Sequence, residues 1–283
     1  MPGADAPIGV FDSGLGGLTV VREILRQLPA ESILYLADTA HVPYGPRPPE
    51  EVRCFALEIM QFLASQGAKA IVAACNMSSA LAVEDARRLL NIPIFGVIEA
   101  GVALALSRHT HHPIGVLATA GTVASQAYPK RIARLRPDVQ VVQVACPEFV
   151  PLVESGLECS PQARAAASAY MRPLLEAGCR TVILGCTHYP LLLPVLEAVA
   201  PSVRFVDPAV ATAAQLAASL AQRKLLRRTS LPPRHRFTAT ADPDRLAHGL
   251  RRFLDLSHSA ELVDLWRTRN CSTPPASEAA REA

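Results

Sequence analysis

The chain carries one pattern twice. IGVFDSG at 8–14 reappears as IGVLATAG at 114–121, AIVAACNMSSA at 70–80 as TVILGCTHYPL at 181–191, and IPIFGVIEAGVA at 92–103 as VRFVDPAVATA at 203–213, at offsets of 106 to 111 residues. Within each copy, short β-rich apolar runs alternate with longer amphipathic stretches. The runs are 8–11, 33–36, 70–74 and 94–97 in the first copy and 114–118, 139–145, 181–185 and 203–206 in the second. Between them apolar residues recur at helical spacing, as in Leu18, Val21, Leu25 and Leu28, or Val52, Phe55, Ile59 and Phe62. Strand–helix alternation predicts largely parallel sheets covered by helices. Duplication of that unit predicts an α/β fold of two similar parallel-sheet domains, related by a pseudo-twofold axis, with the active site in the cleft between them.

Further helices are expected near 122–135 and 161–176, and a long one after Ala209; a short strand at 236–240 and a helix at 243–254 follow. These last elements complete the first half, so the chain crosses between halves near residues 98 and 208. The expected domains are 1–97 with 209–270, and 98–208. The tail 271–283, CSTPPASEAAREA, is small, polar and Pro-containing, and is expected to be disordered.

Charge and composition exclude several functions. A net charge of +3 over 283 residues is small, and the Arg223–Arg228 cluster has no interleaved aromatics, so it reads as a solvated face rather than a nucleic-acid site. No apolar run is long enough to span a bilayer, and residues 1–7 lack a basic start and an apolar signal core. The expected compartment is the cytoplasm. Seven cysteines in no regular spacing argue against a disulfide scaffold or zinc ribbon and for reduced thiols.

In parallel α/β sheets, ligand groups gather at the carboxyl ends of strands. The residues there are Asp12-Ser13, Asp38, Cys75-Asn76, Thr119, Cys186-Thr187-His188 and Asp207. Cys75 and Cys186 hold equivalent positions in the two copies, each after a buried strand and before a helix whose N–H groups favour a thiolate. A twofold would set one thiol on each side of a cleft ligand, so that one removes a proton from carbon while the other delivers one to the opposite face. Cys54, Cys146, Cys159, Cys179 and Cys271 lack this symmetry and read as structural. His188, two residues from Cys186, is placed to exchange a proton with that thiol. HTHH at 109–112 precedes a strand at the other end of the sheet and reads as a surface loop, so no metal is expected. DSGLGGLTV follows a strand like a phosphate loop but lacks GxGxxG spacing and the terminal Lys-Ser/Thr; it reads as a tight turn that places Asp12 and Ser13 in the cleft. Only Lys69, Lys130 and Lys224 exist, none at a strand carboxyl end, so a pyridoxal Schiff base is not expected either.

GVFDSGLGGLTV, YLADTAHVPYG, VAACN, PIFGVIEAG, GVLATAGTVAS, LVESG, VILGCTHYPLL, FVDPA and FTATADP, in this order over about residues 8–255, resemble the glutamate racemases of the aspartate/glutamate racemase superfamily. The resemblance implies a two-domain enzyme, often a homodimer, that supplies D-glutamate for peptidoglycan with no cofactor. Cys75 and Cys186 would be the acid/base thiols, with Asp12 assisting the first and Glu154 with His188 the second. Ser13, Tyr44, Gly45, Asn76, Thr119, Thr122 and Thr187, together with Asp12 and His188, would bind the amino acid. One position departs: the family reads Cys-Asn-Thr where this chain has Cys75-Asn76-Met77. Losing that hydroxyl at the substrate implies weaker binding or altered preference. The rival readings are racemisation of aspartate or a hydantoin, an amino-acid binding protein without catalysis, and a thiol redox protein, the last disfavoured by the absence of Cys-x-x-Cys.

Overall fold

A computed structural model describes residues 2–107 and 111–266. The first half opens with strand β1 (Ile8–Asp12), helix α1 (Leu18–Gln27), β2 (Ile33–Ala37), α2 (Pro49–Ser65) and β3 (Ala70–Ala73). Helices α3 (Asn76–Leu81) and α4 (Val83–Leu89), strand β4 (Ile94–Gly96) and helix α5 (Val97–Ser107) lead to the second half. There β5 (Ile114–Ala118), α6 (Ala120–Ser125), α7 (Ala127–Leu135), β6 (Val141–Ala145), α8 (Phe149–Glu154), α9 (Pro161–Glu176), β7 (Thr181–Gly185), α10 (Leu193–Val199) and β8 (Arg204–Val206) follow. The chain returns through α11 (Pro208–Gln222), β9 (Arg236–Ala239), α12 (Pro243–Leu254) and β10 (Glu261–Leu262).

The strands form two sheets, ordered β10-β9-β2-β1-β3-β4 and β6-β5-β7-β8, every pair parallel. The duplication is visible in that order, because β2-β1-β3-β4 and β6-β5-β7-β8 are one arrangement. Its register repeats too: Ile8 lies between Ile33 and Ala70 as Ile114 lies between Val141 and Thr181. The central strands β1 and β5 are buried throughout, as continuous apolar runs in a doubly covered sheet must be. Helices α5 and α11, which carry the two crossovers, pack against each other.

Several local expectations change. The helix expected over 122–135 is two, because Gln126 takes a left-handed φ of 55° between α6 and α7. The segment after Cys186 begins as a short 3-10 turn, Tyr189–Leu192, rather than an α-helix. Among the described cysteines, 75, 146, 159, 179 and 186 are free thiols, whereas Cys54 is disulfide-bonded, against the expectation of reduced thiols. The tail 271–283 and His109 lie outside the described residues; His111 and His112 are exposed. No helix among the described residues is long and apolar enough to cross a membrane.

Candidate active site

The carboxyl ends of β1, β3, β5 and β7 converge on one small cavity of about 70 Å³. A water needs roughly 10–15 Å³ on this scale, so the space holds one small solute rather than bulk solvent. Cys75 and Asn76 line it from the first half, and Cys186, Thr187 and His188 from the second. Ser13, Tyr44, Gly45, Met77, Thr119, Thr122 and Glu154 complete the expected set. Asp12, expected to assist Cys75 and bind the substrate, lies behind the wall, 1% exposed, accepting from the Gly14 N–H at 3.0 Å and the Thr187 hydroxyl at 3.4 Å.

The glycine turn is what lets the halves meet. A Cβ on Gly16 would stand 2.3 Å from Thr187 Oγ1 and 2.5 Å from His188 Nδ1, and one on Gly17 would stand 2.4 Å from Asp12 Cβ. No side chain fits, so α1 begins in direct contact with the Cys186 segment. The Thr19 hydroxyl seals that contact by donating to the Thr187 carbonyl at 2.9 Å. On the other flank, Tyr128 donates to Asn76 Oδ1 at 2.8 Å, which leaves the Asn76 amide N–H groups for a ligand.

The two thiols have different neighbours. Burial, and then the negative charge of Asp12, push Cys75 up to about 12, against the opposing N–H and hydroxyl of Ser78. The expectation that the helix start favours a Cys75 thiolate is therefore corrected: desolvation outweighs the end of a six-residue helix. Beside Cys186, burial works to lower His188, but its hydrogen bonds to Cys186 at 3.9 Å and Glu154 at 3.3 Å, with the charges of Cys186 and Asp12, reverse this and raise it. Glu154 is lowered, first by its bond to His188 and further by Arg245. Asp12 is raised by burial, with His188 and the Gly14 and Gly17 N–H groups opposing.

Thr119, Asp207 and Asp38 also hold the fold around the site. Thr119 caps α6 by accepting from the Thr122 N–H at 3.4 Å, and Asp207 caps α11 through the Ala209 N–H at 2.9 Å. Asp38 is fully buried and holds the loop that carries Tyr44, accepting from the Tyr44 hydroxyl at 2.6 Å, His41 at 2.9 Å, Thr240 at 2.7 Å and the Trp266 indole at 3.0 Å. Tyr44 thus offers a ligand its ring and backbone, its hydroxyl being taken. Val42, Pro43, Val150 and Gly185 also line the cavity and carry no chemical signal in the sequence. Among the described residues no group of three or more His, Cys, Asp or Glu is placed to hold a metal ion.

Residues 8–216 match the family described as Asp/Glu/Hydantoin racemase. The chain belongs to that family. A glutamate racemase of Parafrankia sp. is 47% identical over 251 residues, covering 88% of this chain and 91% of the relative. The crystal structure of a glutamate racemase isoform from Bacillus anthracis superposes with a TM-score of 0.88 at 38% identity, covering 92% of this chain and 98% of that one. A Francisella tularensis glutamate racemase in complex with D-glutamate gives 0.87 at 34% identity, covering 93% and 98%. In this member of the racemase family the two symmetric cysteines line one cavity.

Proposed function

We propose that the chain is a glutamate racemase, interconverting L- and D-glutamate by two-thiol acid/base chemistry with no cofactor and supplying D-glutamate for peptidoglycan. The observation that carries this reading is one cavity lined by two buried free thiols, one from each of two equivalent strand ends. One thiolate takes the α-proton and becomes a thiol. The opposite thiol gives its proton to the other face of the carbanion and becomes a thiolate. The return reaction uses them in reverse.

The α-proton of an amino acid is a very weak acid, so the site must raise the strength of the base and stabilise the developing charge. Burial does the first: a sulfur that protonates near 12 is a strong base once it has lost its proton. The retained ammonium of the substrate and the N–H and hydroxyl donors of Ser13, Asn76, Thr119, Thr122 and Thr187 do the second, in a space with little water. Asp12 assists Cys75, and Glu154 with His188 assists Cys186. Met77 replaces a hydroxyl with a thioether against the substrate. The proposed setting is the cytoplasm, the proposed assembly a homodimer, and the proposed bodies that part to admit substrate are 1–97 with 209–270 and 98–208.

Solvent exchange tests the thiol assignment. In deuterium oxide the wild type exchanges the α-hydrogen of glutamate, and Cys75→Ser or Cys186→Ser reduces racemisation by at least about 10³-fold, the scale of losing an essential acid or base. Full activity in a protein lacking both thiols is incompatible with the reading.

A further inference from the structure

Helix α12 belongs to the first half, packing on α1 and β9, yet its arginines reach the second. Arg245 Nη2 stands 2.6 Å from Glu154 Oε2. The other oxygen of that carboxylate is 3.3 Å from His188 Nε2, and His188 Nδ1 is 3.9 Å from Cys186 Sγ. Two turns further along, Arg252 donates to the Val153 carbonyl at 2.7 Å and to Glu158 at 2.8 Å. Asp242 caps α12 by accepting from the N–H of Arg245 itself at 3.1 Å, which fixes the turn that carries the contact.

A carboxylate held through both oxygens, one by His188 Nε2 and the other by Arg245, has one orientation. Released from one of them, a side chain that is 24% exposed turns toward water. We infer that Arg245 is a positioning residue: it anchors Glu154 from across the cleft, so that His188 is held on Cys186 only while the two halves are closed. Closure and the readiness of the second thiol are then one event. Arg245 touches neither the cavity nor either sulfur, and it acts through Glu154 alone. The inference rests on the proposed role of Cys186.

A double-mutant cycle tests it. Arg245→Met should lower kcat about 10-fold, the effect of misplacing a catalytic group, with KM changed less than about 3-fold. In a Glu154→Gln background the same substitution should cost less than about 2-fold. Equal losses in both backgrounds would reduce Arg245 to a packing residue of α12 and overturn the inference. The second readout needs no turnover: without substrate, the ring ¹⁵N resonances of His188 in the full chain should move on Arg245→Met and stay in place when Glu154 is already Gln. Resonances unmoved in the parent overturn the inference as well. Failure of the racemase reading would be separate, seen as wild-type protein that does not racemise glutamate while the His188 cycle still reports the contact.

Discussion

At Gly16 there is room for hydrogen and nothing larger, since a methyl group would overlap the Thr187 hydroxyl and the His188 ring. Gly16→Ala must push the Cys186 segment away from α1; overpacking of this kind costs about 1–3 kcal/mol. We expect a loss of racemisation of about 100-fold in a protein that still folds, read from kcat and thermal unfolding together. Met77 makes the opposite case. The residue is 4% exposed, lines the cavity and packs so closely that a Cβ on Gly121 would meet its sulfur at 2.7 Å. Met77→Thr returns a hydroxyl and frees space, and one hydrogen bond to a charged group is worth about 1.5–3 kcal/mol, so KM for glutamate should fall about 10-fold with kcat little changed. Unchanged KM and kcat would refute the role given to this position. The thiols were legible in the sequence because duplication pairs them. Glu154 and Tyr44 were legible only through resemblance, and Arg245 not at all, its partner lying 91 positions away with no local pattern to mark it.

Between elements, the clearest electrostatic tie is Glu99 at the start of α5. Arg87 of α4 grips both of its carboxylate oxygens at 3.0 and 2.7 Å, and Arg131 of α7 adds a third contact at 3.6 Å. The Arg87 hydrogen bonds, against the cost of partial burial and with the Arg87 and Arg131 charges, hold Glu99 below its usual 4.5. With the folded value below the unfolded one, the tie stabilises fully above about pH 4.5 and is lost as pH falls through the folded value. Glu99→Gln should therefore cost about 1 kcal/mol in urea unfolding at pH 7.5, a figure reduced for partial exposure, and the difference from wild type should shrink toward zero as pH falls through the folded value of Glu99. A pH-independent deficit would mean that packing, not charge, is at stake. Strands were the most legible elements, because a parallel strand covered on both faces is a continuous apolar run. Short helices were the least: α3, α4 and the break at Gln126 are set by tertiary contact and by one left-handed residue, and the two-residue strand β10 has no run long enough to read.

For the whole molecule, duplication explains more than any single motif. Repeated strand order sets two equivalent strand ends facing one cavity, and repeated chemistry puts a sulfur at each. The twofold arrangement was readable from the offsets alone. The asymmetry laid over it was readable in part: His188 beside Cys186 follows from the strand end, Asp12 and Glu154 from the resemblance, whereas the Arg245–Glu154 contact arises only when the halves close. Because L- and D-glutamate have equal free energy in water, an enzyme of this kind must bring either one to an equal mixture. The decisive measurement is circular dichroism of L-glutamate incubated with the reduced protein and no added cofactor. The account predicts decay of the signal to zero, abolished in the Cys75→Ser, Cys186→Ser double variant. A signal that persists with folded wild-type protein, or that decays as fast with the double variant, would contradict it.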